Sequence, residues 1–229
     1  VFEIARVYLP QAGQLLPDEP RRLGIVMTGP RHLAARPDAA AEALDFYDLK
    51  GIAETLLRRL RVADSSFAPT EHPSFQNGRV ATLLVGGTEI GVMGEIHPLV
   101  RGNFDLGPLR VCLLQADLEA ILARVPSSYY YLPVSRFPAV TEDLALIVDE
   151  DIPAVHVRDA IAKAGGRLLQ KIELFDVYRG TQIPAGKKSL AYALTYQAAD
   201  RTLTEKEVGK LRTRMQRTLE KALGAHLRA

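Results

Sequence analysis

Cysteine is nearly missing from this 229-residue chain. Cys112 is its sole example, so no internal disulfide can form, and a reducing, cytoplasmic setting is the simplest expectation. Also lacking is any run near the roughly 18 to 20 uninterrupted apolar residues that a membrane-spanning helix needs. The opening Val1-Phe2-Glu3-Ile4-Ala5-Arg6 is not built like a signal peptide, and the methionines, Met27, Met93 and Met215, leave no initiator at the start. The chain therefore reads as a piece of a longer protein. There is no Gly-x-x-x-x-Gly-Lys-Ser/Thr and no Gly-x-Gly-x-x-Gly, which removes the common phosphate-cradling loops. The histidines, His32, His72, His97, His156 and His226, lack His-x-x-x-His spacing and have no Cys-x-x-Cys beside them, which favours structural or surface roles over a zinc site.

What is present matches a globular protein: 47% apolar and 24% charged residues, with a mean hydropathy near zero, exclude extensive disorder and a collagen-like fibre. The length suggests two domains. Residues 123–133, Ala-Arg-Val-Pro-Ser-Ser-Tyr-Tyr-Tyr-Leu-Pro, break periodicity between two prolines and read as a linker. Charge divides near the same place. From Pro133 onward there are 16 Lys and Arg against 12 Asp and Glu, a net of +4, while the remainder carries a net of −2. A modest excess of this kind suits a polyanionic partner without identifying one.

In the first part, residues 23–28, 80–85, 89–96 and 110–115 are short apolar runs bounded by turn formers, expected as strands. Leu49, Ile52, Ala53, Leu56 and Leu60 recur at helical spacing, with Pro37-Asp38 upstream as the expected start of that helix. The second part is more regular. Leu144, Leu146 and Val148 mark a strand. A helix opens at Pro153, buries Val157, Ala160, Ile161 and Ala164, and stops at Gly165-Gly166. Residues 168–179 and 189–197 are the next strands. Thr204-Glu205-Lys206-Glu207 has the spacing of a capping box, followed by a buried stripe of Val208, Leu211, Met215, Leu219 and Ala222 up to Gly224. Residues 225–228 supply a last short strand. The order βαββαβ is the ferredoxin-like arrangement, an antiparallel sheet with both helices on one face and the other face open.

Period-2 alternation sends Leu190, Tyr192, Leu194 and Tyr196 toward the helices and leaves Ser189, Ala191, Ala193 and Thr195 as a small-residue platform on the open face. In the preceding strand Phe175 and Val177 are expected in the core, with Asp176 and Tyr178 on the open face beside Ser189. Ile172 and Leu174 are then out of phase, so either a bulge lies near Leu174 or the open face is partly apolar. An exposed ring beside a carboxylate and a hydroxyl is suited to stacking an unpaired base and reading its edge. The same residues also fit a surface tyrosine with polar neighbours. Lys187 and Lys188, with Arg179, are expected near that face, where cations can touch phosphates. Lys206, Lys210, Arg214, Arg217 and Lys221 form a basic stripe on the last helix, the usual pattern of a solvated face.

One catalytic arrangement competes. In Gly91-Val92-Met93-Gly94-Glu95-Ile96-His97-Pro98, Glu95 and His97 share a strand face and could act as acid and base. The same residues fit a strand with a close glycine approach and a proline stop.

Several segments together, in order, resemble the C-terminal end of the beta chain of bacterial phenylalanyl-tRNA synthetases. They are Phe2-Glu3-Ile4-Ala5-Arg6-Val7, Asp45-Phe46-Tyr47-Asp48-Leu49-Lys50-Gly51 and Gly94-Glu95-Ile96-His97-Pro98 in the first part. In the second they are Ser135-Arg136-Phe137-Pro138-Ala139-Val140, Asp143-Leu144-Ala145, Leu174-Phe175-Asp176-Val177-Tyr178-Arg179-Gly180, Lys188-Ser189-Leu190-Ala191 and Arg201-Thr202-Leu203-Thr204.

The resemblance implies an α+β chain. Residues 1–125 would be an incomplete class II synthetase-like antiparallel α/β module without catalysis, residues 126–134 a linker, and residues 135–229 a ferredoxin-fold anticodon-binding domain. No glycine-rich strand leading into a helix with an ATP-binding arginine follows Pro98, in keeping with a lost active site. The resemblance further implies phenylalanine tRNA as ligand and an alpha chain as partner in an α2β2 heterotetramer. The chemistry would reside on that alpha chain with ATP, magnesium and phenylalanine. Asp176, Tyr178 and Ser189 match the family's anticodon-contacting positions, and Arg179, Lys187 and Lys188 are electrostatic additions to that set. The alternative expectation is a metabolite-sensing ferredoxin-like domain attached to a small α/β enzyme using Glu95 and His97.

Overall fold

The computed structural model describes residues 1–31, 42–129, 131 and 133–228; His32, Pro37-Asp38, Tyr130 and Leu132 lie outside these described residues. The chain divides into two compact units, Val1–Tyr130 and Tyr131–Ala229.

The first unit is built on a six-stranded antiparallel sheet. In chain order its elements are β1 (Phe2–Arg6), β2 (Arg21–Thr28), α1 (Phe46–Arg59), β3 (Ser65–Pro69), β4 (Phe75–Val85), β5 (Thr88–Ile96), α2 (Pro98–Asn103), β6 (Val111–Asp117) and α3 (Leu118–Leu122), and the strand order is β1-β2-β6-β5-β4-β3. Helix α1 starts at Asp45, whose carboxylate accepts from the backbone of Tyr47 and Asp48, while the Asp48 carboxylate accepts from the Asp45 amide. Arg31 grips Asp48 through two hydrogen bonds of 2.9 and 3.0 Å and holds its carboxyl below the usual range. Leu49, Ala53 and Leu57 of α1 are buried with Leu83, Met93 and Leu114 of the sheet. Ile52, expected in that stripe, is exposed, and Leu57 is the buried residue the expected stripe omitted.

Gly91 and Gly94 explain the tight centre of this sheet. A Cβ on Gly91 would lie 2.5 Å from the Gln115 carbonyl oxygen, and one on Gly94 would lie 2.7 Å from the Arg79 carbonyl oxygen and 2.8 Å from the Phe75 ring. Pro98 then opens α2, with His97 as its cap.

The second unit contains β7 (Val140–Asp149), α4 (Ala154–Gly165), a short 3-10 turn, β8 (Leu169–Tyr178), β9 (Lys187–Tyr196), α5 (Glu205–Leu223) and β10 (His226–Leu227). Strand order is β10-β7-β9-β8, all antiparallel, the arrangement expected of a ferredoxin-like fold. The core lies on the helix side: Leu144, Leu146 and Val148 of β7 and Leu190, Tyr192, Leu194 and Tyr196 of β9 pack with Val157 and Ile161 of α4 and Met215 and Leu219 of α5. Two local expectations shift. Pro153 is the residue capping α4 rather than its first helical residue, and Ala222 is exposed, its neighbour Leu223 packing against the core in its place. Gly224 closes α5 at φ 60°, in the left-handed region where glycine is at no steric disadvantage.

Limited proteolysis is expected to cut the chain between Arg124 and Arg136 and to leave a stable C-terminal piece. Preferential cleavage inside residues 143–196 contradicts two separate folding units. A second expectation concerns acid. Thr204 and Glu207 form the capping box of α5, and hydrogen bonding from the Thr204 backbone, then from Arg201, brings the Glu207 carboxyl down to about 2. A carboxyl depressed in the folded state contributes stability in full above its unfolded pKa of about 4.3. That contribution disappears as pH falls toward 2. Glu207→Gln should therefore narrow the stability difference between pH 6 and pH 3, measured by urea unfolding at both.

Candidate nucleic-acid interface

Pairing across the sheet decides which side chains share the open face. Between Leu169 and Tyr178, β8 holds two residues more than the length of β9 it faces, with register shifts between Leu169 and Lys171 and between Leu174 and Asp176. The extra residue at the second shift is Phe175. Leu174 is therefore opposite Tyr192 on the helix side, while Asp176 is opposite Ala191 and Tyr178 opposite Ser189 on the open side. This resolves the phase conflict in the sequence and corrects two expectations. Phe175 is not a core residue but the bulge itself, 57% exposed, and Val177, although opposite Leu190 on the helix side, lies in the edge strand beyond the core and is also exposed.

The open face consists of Thr141, Asp143, Ala145, Ile147 and Asp149 of β7, Lys187, Ser189, Ala191, Ala193 and Thr195 of β9, and Lys171, Glu173, Asp176 and Tyr178 of β8. Its floor is small: Ala145, Ala191 and Ala193 are half-buried. Asp176 borders that floor, exposed and without a hydrogen bond or ion pair among the described residues. Tyr178 is half-buried, and its hydroxyl points to Gly180, where an added Cβ would come within 2.3 Å of it. Ser189 lies in the same row between Tyr178 and Ile147, but it is only 2% exposed, so the sequence expectation of an open hydroxyl needs revision. Asp176, Tyr178 and Ser189 are thus brought together on one face, with the last one covered.

The three cations fare differently. Arg179 donates to Glu150 from Nε at 2.9 Å, with Nη2 at 2.8 Å from the same oxygen, and this pairing lowers the Glu150 carboxyl. Lys187 is on the open face, paired with Asp149. Lys188 contradicts its expected place. It neighbours Ser189 in an extended strand and must point the other way, so it is buried on the helix side and donates to the Glu150 carbonyl at 2.7 Å. Away from the sheet, Lys206, Lys210, Arg214 and Arg217 line a shallow groove of about 610 Å³ on α5, with no ion-pair partner among the described residues.

The competing acid and base do not form a pair. Glu95 is buried in β5 and held by Arg79 at 2.6 Å and Arg110 at 3.3 Å. His97 lies beyond the strand end, its Nδ1 accepting from the Leu99 amide at 3.2 Å. Cys112, opposite Glu95 in β6, is buried, and burial first and the Glu95 charge second push its thiol up to about 11, which disfavours the thiolate. Among the described residues no three His, Cys, Asp or Glu side chains converge on a metal site.

Comparison with known proteins agrees with both halves of this geometry. Residues 1–118 match the model of the phenylalanyl tRNA synthetase beta chain CLM domain, and residues 135–228 match the ferredoxin-fold anticodon binding domain. The whole chain aligns with phenylalanine--tRNA ligase beta subunits, 44% identical over 230 residues in Symbiobacterium thermophilum and 47% over 234 residues in Moorella thermoacetica. The chain belongs to the phenylalanine-tRNA ligase beta subunit family. It spans 25% and 28% of the length of those two relatives, and 27% of the Clostridium acetobutylicum subunit, to which it is 38% identical over 230 residues. The enzyme reading built on Glu95 and His97 gives way to this family assignment. No helix among the described residues is long and apolar enough to cross a membrane.

Glu95 should accordingly matter to folding. Glu95→Ala removes a charged hydrogen bond from Arg79 and an ion pair with Arg110 and is expected to cost roughly 1–3 kcal/mol of stability. Urea unfolding checks this, and an unchanged midpoint would show that the Arg79-Glu95-Arg110 cluster is energetically idle.

Proposed function

We propose that the open face of the second unit receives the anticodon of phenylalanine tRNA. On this reading the chain is the RNA-binding and scaffolding end of a ligase beta subunit, assembled with an alpha chain as an α2β2 heterotetramer in the cytoplasm. Residues 1–125 serve as a non-catalytic class II-like module, 126–134 as a linker and 135–229 as the anticodon-binding domain. ATP, magnesium and phenylalanine belong to the alpha chain. The carboxylate of the first unit singled out for chemistry, Glu95, is paired with two guanidinium groups, which would compete with any cation brought to it.

The observation that carries this reading is the grouping of Asp176, Tyr178 and Ser189 around a floor of alanines. The Tyr178 ring offers a flat face for an unpaired base, and the unpaired Asp176 carboxylate accepts from a base's N–H groups. The Ser189 hydroxyl can donate or accept at the base edge once its cover is displaced. Arg179 and Lys187, at the rim, can exchange their carboxylate partners for phosphates. Lys188 acts from beneath by fixing the Glu150 turn.

Tyr178→Ala in the assembled enzyme tests the reading. A stacked base is worth roughly 1–3 kcal/mol, so binding of native phenylalanine tRNA should weaken about 5- to 150-fold, with phenylalanine activation unchanged. Tyr178→Phe should be mild because it keeps the ring. If Tyr178→Ala leaves discrimination between native and anticodon-substituted tRNA intact, the RNA site lies elsewhere, and the basic groove on α5 becomes the candidate.

A further inference from the structure

Ser189 stands on a face with no helix over it, between Tyr178 and Ile147 in its row, and it is 2% exposed, with a hydroxyl that makes no hydrogen bond among the described residues. Two side chains from the edges of the sheet reach toward this row. At one edge, Arg228 extends the β10 pairing, its amide donating to the Ala145 carbonyl at 3.0 Å. His226 pairs with Ile147, which is in the Ser189 row, and Arg228, two residues on, has the same facing as His226. At the other edge stands Tyr178. Three strand spacings, roughly 14 Å, separate these edges. Both side chains nevertheless meet over the middle, with the Arg228 guanidinium carbon 5.0 Å from the centre of the Tyr178 ring. Gln182, in the loop after β8, holds the guanidinium by accepting from Nη2 at 2.9 Å. Gly180 leaves room for the Tyr178 hydroxyl at the far end of the ring.

We infer that Arg228 is a further RNA-recognition residue: with Tyr178 it forms the two walls of a slot for one unpaired base, closed over Ser189 in the free protein. This rests on the open-face reading of Tyr178. A base stacked on both sides needs about twice the 3.4 Å stacking distance, near 7 Å between walls, so entry requires the 5.0 Å gap to widen by about 2 Å. Two features permit that widening. Arg228 is anchored by its backbone while its head is held by a single side-chain hydrogen bond to exposed Gln182. The guanidinium is planar and stacks on a base as readily as on tyrosine. Opening the slot uncovers the unused Ser189 hydroxyl at its floor and leaves Asp176 at its side. The Ser189 hydroxyl therefore becomes available to a base edge only when a base has taken the guanidinium's place against the ring, whereas the Asp176 carboxylate is exposed throughout.

The test uses the full-length beta chain assembled with its alpha partner, and phenylalanine tRNA with native or substituted anticodon. Arg228→Ala should weaken the native tRNA about 2- to 30-fold, the range of a cation-π contact from exposed to desolvated. Binding of the anticodon-substituted tRNA should hardly change. Arg228→Lys keeps the charge but not the plane, and it should recover less than half of that loss on a logarithmic scale. The double variant Tyr178→Ala/Arg228→Ala should bind no worse than Tyr178→Ala alone, since one wall does not make a slot. Full recovery with lysine, or equal weakening of both tRNAs, would overturn the inference by making Arg228 a simple phosphate contact. So would Arg228 variants without effect in an enzyme that Tyr178→Ala does weaken. An enzyme insensitive to Tyr178→Ala fails earlier, at the open-face reading itself.

Discussion

Phe175 is one residue too many for the strand it faces, and the open face depends on how β8 absorbs it. In an unbroken strand, Leu174 and Asp176 would fall on the same side, so a leucine on the helix side would put the carboxylate there as well. The bulge breaks that linkage. Ile172 and Leu174 stay opposite Leu194 and Tyr192 on the helix side, while Asp176 and Tyr178 emerge opposite Ala191 and Ser189. The cost is an exposed phenylalanine ring at the sheet edge and a ladder interrupted at one residue. A bulge at this point re-aims two side chains with a single added residue.

The charges on that face follow a different logic from a general polyanion sink. Asp143, Asp149, Glu173 and Asp176 all point there, and two of the cations among them are occupied: Lys171 pairs with Glu173 at 2.5 Å and Lys187 with Asp149. Such a surface repels phosphate unless base contacts compensate. Its acidic surround favours the identity of a base over the mere presence of a strand, whereas the stripe on α5, without ion-pair partners among the described residues, has the opposite character. The net excess of +4 in the second half of the sequence therefore says little about the site, because much of that excess resides on the helix.

Legibility in the sequence follows how local each signal is. β9 alternates large and small residues without interruption, so its two faces, and with them the helix side and the open side, can be read directly. The capping box of α5 and the glycine at its end are equally local. β8 cannot be phased alone, because a bulge at Phe175 and one at Leu174 predict the same residues until pairing with β9 is known. Lys188 was placed by proximity to Ser189, although adjacent strand residues face opposite ways. In the first unit, β3 has no strong alternation, and β1 is exposed along its whole length, so neither carries the hydrophobic pattern that marks a strand. Arg228 could not be singled out among the other basic residues, since its meeting with Tyr178 is created only when the first and last strands in the sheet order are brought to opposite edges.

The floor of Ala145, Ala191 and Ala193 has a consequence of another kind. Methyl groups barely screen the strands beneath them, so much of what an approaching ligand meets there is peptide backbone, with dipoles fixed by the hydrogen-bonded ladder. That part of the surface is written by topology and is supplied by any sequence able to form the sheet. Such a floor tolerates drift among small residues, and its vulnerability is to gain of bulk: a single valine or leucine at one of these three positions would raise the floor into the space above without removing any group that touches the ligand.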